Sequence, residues 1–251
     1  MRYSRSFLGI LVIGLASVIG GSLAPSKHKA VSEDAQQAPD SDSGRPSRAQ
    51  DFYYMLMFSS ENNSNRARFS HSFASFVKAT GPAPSSAECA IVETHTISWL
   101  PQSLEIVLLR RRPEPGQNLD LQETMKWAQS VRATISMWGP YQIQKDLYDR
   151  AVEQETRLKS GTVMYKAVDE KFRPATASNC IHAVSDIDTD HGLLRVGRLW
   201  GEPASQLVLS HFKRWVLEPD KTHSWLIERL ELKDVRVRTL WTLEQDIPTG
   251  F

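Results

Sequence analysis

The chain has 251 residues, 41% hydrophobic and 24% charged, a balance that excludes disorder over its whole length. Its 30 Lys and Arg oppose 29 Asp and Glu for a formal net charge of +1, so no global field draws nucleic acid or an anionic membrane. Two cysteines, Cys89 and Cys180, allow a single disulfide at most.

Arg2 and Arg5 precede an apolar run from Phe7 to Leu23 broken only by small residues. That order of charge, apolar stretch and small residues predicts a secretory signal or membrane anchor over residues 1–23, and hence an exported chain: periplasmic, membrane-anchored or extracellular. Residues 24–50 are rich in Pro, Ser, Asp, Gln and Lys and bury too little to offset their ordering entropy, so they read as a tether. A globular composition begins at Asp51 and lasts to Phe251, enough for one domain with a substantial core.

Within that domain, Tyr53–Phe58 reads as a buried strand, Phe69–Lys78 as a second, and Ala90–Trp99 as a third ended by Pro101. Leu104–Leu109 is strongly β-like, and Arg110–Arg112 reads as its solvated end. Asp120, with Glu123 three residues on, caps a helix carrying Leu121, Met125, Ala128 and Val131. Thr134–Trp138 predicts a short strand stopped by Gly139-Pro140. Ile143, Leu147, Ala151 and Leu158 space a helix that ends at Gly161. Thr162–Val168 reads as a strand and Ile181–Ile187 as a short helix. Apolar stripes at Ala204–Val216 and Trp225–Leu232 predict two late helices, and Val235–Trp241 a final strand. The sum is an α+β fold: an antiparallel sheet with packed helices and a helical C-terminal extension.

Cys180 follows Asn179 and opens a helix, where the positive end of the helix dipole favours thiolate. His182 lies two residues on and points away, so a base must come from elsewhere. His71, on the second predicted strand, is the candidate base. His95, on the next strand, is placed to orient its ring. A His–His–Cys arrangement of this kind suits nucleophilic acyl transfer.

This order resembles the circularly permuted branch of the NlpC/P60 papain-like superfamily. The matching pieces are Ser70-His71-Ser72-Phe73, Glu93-Thr94-His95-Thr96, and Asn179-Cys180 with its helix. Ser70 stands where the branch commonly has glycine. The resemblance spans about residues 52–190 and implies a Cys180 nucleophile, a cell-wall or lipid substrate carrying an amide or ester bond, and no metal or organic cofactor. The competing reading is a non-catalytic exported binding or structural domain closed by a Cys89–Cys180 disulfide. Asp186–Gly192 spaces carboxylates as a calcium loop does, but its glycine comes one residue late and Gly197 stands where a closing Glu is needed, so it reads as a polar turn. No H-x-x-x-H, G-x-S-x-G or Gly-rich phosphate loop occurs.

Overall fold

A computed structural model describes residues 49–62, 70–84, 88–173, 175–197, 199–232 and 235–238. The expected leader (1–23) and the tether up to residue 48 lie outside these. So do Phe69 and the end of the last predicted strand, residues 239–241.

The domain is α+β. Its main sheet has the order β3-β2-β1-β6-β9, built from β1 (Gln50–Asn62), β2 (His71–Gly81), β3 (Ala90–Ile97), β6 (Ala133–Ile143) and β9 (Arg236–Arg238). Its strands are antiparallel except β9, which runs parallel to β6. A smaller sheet holds β4 (Trp99–Pro101), β5 (Glu114–Asn118), β7 (Met164–Tyr165) and β8 (Ala177–Ser178). The helices are α1 (Leu121–Ser130), α2 (Lys145–Lys159), α3 (Cys180–Ser185), α4 (Gly201–Phe212) and α5 (Trp225–Arg229).

β1 and β2 form the centre of the core. Nearly every residue from Tyr54 to Ser60 and from His71 to Val77 is buried, as expected of strands covered on both faces. On β2 the pleat sends His71 and Phe73 towards Trp127 of α1, while Ser72 meets Ser205 of α4. Ser205 Oγ also donates to the Phe58 carbonyl, at 2.9 Å. The C-terminal helical segment is therefore built into the sheet's packing and is no appendage. Gly201 opens α4 at φ +64, and a Cβ there would lie 1.5 Å from Glu61 Oε1 at the end of β1, so only glycine fits.

The Asp120–Glu123 capping box forms as the sequence predicts. Several expected elements differ. Gly139-Pro140 does not stop β6, because a register shift opposite Met55–Met57 absorbs the pair in a bulge, with Gly139 at φ +94. Thr162–Val168 pairs only at Met164–Tyr165. Leu104–Leu109 is not a strand. Leu104 sits at φ +59 in a turn from Pro101, and the segment from residue 102 to 113 is a loop. Asp188 in the polar turn is taken up by Arg214 and by the Trp215 indole N–H, at 2.8 Å.

Candidate active site

Cys180 is the first residue of α3, capped by Asn179, whose side chain accepts the His182 N–H at 2.8 Å. The residue is 7% exposed, and α3 packs against β2. Pairing of β2 with β3 begins only at Ala74, and the Ser72 backbone N–H near this open edge favours a thiolate at Cys180. The N–H groups of Cys180 and Ile181 act in the same direction. These three donors favour thiolate, but burial outweighs them and pushes the thiol up to about 11, with the Asp169 carboxylate adding in the same direction. The expectation that the helix start lowers this thiol is thus overturned: a dipole acts weakly against complete desolvation.

His71 immediately precedes Ser72. Its ring is wholly buried against Phe73 and Trp127, and burial pushes the imidazole down to about 3. Nε2 shares a 2.8 Å hydrogen bond with Ser98 Oγ, and Nδ1 has no hydrogen-bond partner among the described residues. Ser98 is placed by Asn118, which accepts the Ser98 N–H at 2.9 Å and donates to the Thr96 carbonyl at 2.6 Å. The space beside Cys180 is lined by Ser70 and Ser72, the residues on either side of His71, and not by His71 itself.

His95 does not join this group. It stands opposite Phe76, so five residues, or about 17 Å of strand, separate its rung from His71. Its Nδ1 contacts Glu155 of α2 at 2.6 Å. The side chain that meets the His71 ring nitrogen is Ser98, not His95. The disulfide reading fails on the same strand. Both cysteines are free thiols. Cys180 touches β2 at Ser72, while Cys89 packs on Gly81 at the far end and donates to the Ala83 carbonyl at 3.2 Å. Nine residues of strand span about 30 Å, against the roughly 7 Å that a disulfide tolerates between Cα atoms.

A buried cluster missed in the sequence holds the approach to α3. Asp169 accepts the Asn179 N–H at 2.8 Å and contacts His182 Nδ1 at 2.7 Å. His182 is 3% exposed, and its Nε2 has no hydrogen-bond partner among the described residues. Asn179 was legible as a cap, but nothing in Val168-Asp169-Glu170 marks Asp169 as its partner ten residues away.

Cys180 opens onto a cavity of about 420 Å³ whose walls include Ile106, Leu108, Tyr165, Ile181, Val196 and Trp200. Ser70, Ser72, Asn179 and Glu170 supply its polar atoms. Such a space suits an apolar chain with a reactive polar group at the thiol. No group of His, Cys, Asp and Glu among the described residues could hold a metal ion, and no described helix is long and apolar enough to cross a membrane. No protein-family model, curated protein or solved structure matches the chain.

Proposed function

We propose that the domain is a thiol-dependent acyl hydrolase or acyltransferase built like the permuted papain-like enzymes. Cys180 is its nucleophile, His71 its base, and Ser98 the residue that holds the imidazole. The observation that carries this reading is Cys180 itself, a buried thiol at the start of α3 that lines an apolar cavity together with Ser72, the residue next to His71. As the thiol attacks an ester, thioester or amide carbonyl, its proton passes to His71. The acyl–sulfur bond forms, the leaving group departs with that proton, and water or an acceptor alcohol or amine then breaks the thioester. The apolar walls favour an acyl chain over a sugar or a charged peptide. Export through residues 1–23, and with it a cell-envelope setting, belongs to the same proposal.

The resting pair is a neutral thiol and a neutral imidazole. For isolated groups titrating near 11 and 3, proton transfer costs on the order of 11 kcal/mol. The ion pair that forms is net neutral, which lowers that cost. Turnover is accordingly expected to be slow, and fastest when substrate is already bound.

The same buried thiol favours a second reading, a non-catalytic domain that binds an apolar molecule in this cavity. Hydrolysis of p-nitrophenyl esters of increasing chain length separates the two. The enzyme reading expects turnover that rises with chain length and vanishes in Cys180→Ala. Saturable ester binding without nitrophenol release from the wild-type chain supports the binding domain.

A further inference from the structure

The loop from residue 102 to 113 exposes its apolar side chains. Leu109 is 91% exposed, Val107 40% and Leu108 39%. Val168 and Trp200, from two other segments, are 51% and 39% exposed. Leu108, Leu109, Val168 and Trp200 all line the cavity that holds Cys180, so they form one rim around one mouth. Single exposed apolar residues are ordinary, but a contiguous set from three segments is not.

The loop is also held in shape. Lys166 Nζ donates to the Arg110 carbonyl, and Arg110 pairs with Glu114 at 2.8 Å. Beyond the Leu108-Leu109 tip, after Arg110, come Arg111 and Arg112, both exposed. The acidic residues near the rim include Glu105 on the same loop, Glu114, which pairs with Arg110, and Glu170 in the cavity wall. Aliphatic tips with arginines two and three residues behind them match the layering of a bilayer surface, with acyl chains below and anionic headgroups above. The chain's net charge hides this, because the arginines are local to the loop.

We propose that this rim is a membrane-docking surface for anionic phospholipid, which seats the cavity mouth on the bilayer. Leu109 and Leu108 enter the acyl boundary, Trp200 lies at the headgroup level, and Arg111 and Arg112 contact lipid phosphates. The proposal does not depend on Cys180 chemistry, and it is tested without turnover.

The apolar run Phe7–Leu23 is itself expected to partition into bilayers, so the reporter sits on the loop of the full chain. An environment-sensitive dye is attached to Leu109→Cys and, as a control, to Ser130→Cys at the end of α1; the native thiols are buried. Vesicles of phosphatidylcholine, with and without phosphatidylglycerol, are titrated at low salt. The expected result is a blue shift at position 109 with phosphatidylglycerol, reversed by salt, and no shift at position 130. Charge reversal in Arg111→Glu/Arg112→Glu should raise the half-saturating lipid concentration by more than about twentyfold, since each lost arginine alone is worth about fivefold. A dye at 109 that stays aqueous on chain-bearing vesicles overturns the proposal. So does a shift equal on both vesicle types and insensitive to salt. A shift without vesicles assigns the rim to a second copy of the chain instead.

Discussion

The two ends of β2 each hold a buried free thiol, and the thiols differ in what surrounds them. Cys89, 1% exposed, is pressed onto Gly81 so closely that a Cβ there would lie 2.2 Å from its sulfur. Cys180, 7% exposed, lines a cavity together with Ser72, the sequence neighbour of a histidine whose Nδ1 has no hydrogen-bond partner among the described residues. Burial alone therefore does not separate the two thiols. What marks Cys180 is the unfilled space it lines.

The largest expected contrast is in turnover. Cys180→Ala should lower ester hydrolysis by about a thousandfold or more, and Cys89→Ala by less than about threefold. The stability order is the opposite, because Cys89 fills a site between Gly81 and Ala83 and Cys180 borders open space. By urea denaturation Cys89→Ala should cost about 1–2 kcal/mol, and Cys180→Ala less. Equal losses of activity in the two variants would dissolve the distinction.

The second contrast is in acid. The folded imidazole of His71 titrates near 3, below its unfolded value, so its contribution to stability is present above the unfolded value and is lost as pH falls through the folded one. Between pH 7 and about pH 4.5 the domain should lose roughly 2–3 kcal/mol on this account. Denaturant midpoints measured at both pH values should show that loss shrinking in His71→Gln. An unchanged loss would mean that the imidazole is not desolvated as the fold implies.

At the Cys89 end, Gly81→Ala should destabilise the domain by about 1–3 kcal/mol through overpacking against Cys89. Combining it with Cys89→Ala should recover part of that loss, as a double-mutant cycle would read. The smallest contrast lies between the residues that hold imidazoles. Ser98→Ala should cost about 1 kcal/mol and slow turnover, since it frees the His71 ring. His95→Ala should leave turnover unchanged, and if it slowed turnover as much as Ser98→Ala does, the assignment of the orienting residue would be reversed.

The sequence made some of this legible and not the rest, for physical reasons. Local signals survived folding: the Asp120–Glu123 box, the Asn179 cap before Cys180, and the apolar runs of β1 and β2. What depends on register did not. His71 and His95 sit on paired strands, but pairing fixes neighbours only when the connecting turn is known, and the actual rung sets His95 against Phe76. Ser98 is brought to His71 by Asn118, a contact twenty residues away that no spacing announces. Leu104–Leu109 has strong β-formers and forms no strand. Intrinsic preference is outweighed there by the turn at Leu104, and the apolar residues are left on the cavity rim.

The central claim is that Cys180 carries the chemistry, and intact-mass measurement tests it most directly. The purified chain is mixed with a medium-chain p-nitrophenyl ester and quenched in acid at early times. The account predicts a mass gain of one acyl group, mapped by peptide fragmentation to Cys180, slower to form in His71→Ala and absent in Cys180→Ala. A chain that releases nitrophenol without acylation of Cys180, or acquires the acyl group on Cys89, would contradict it.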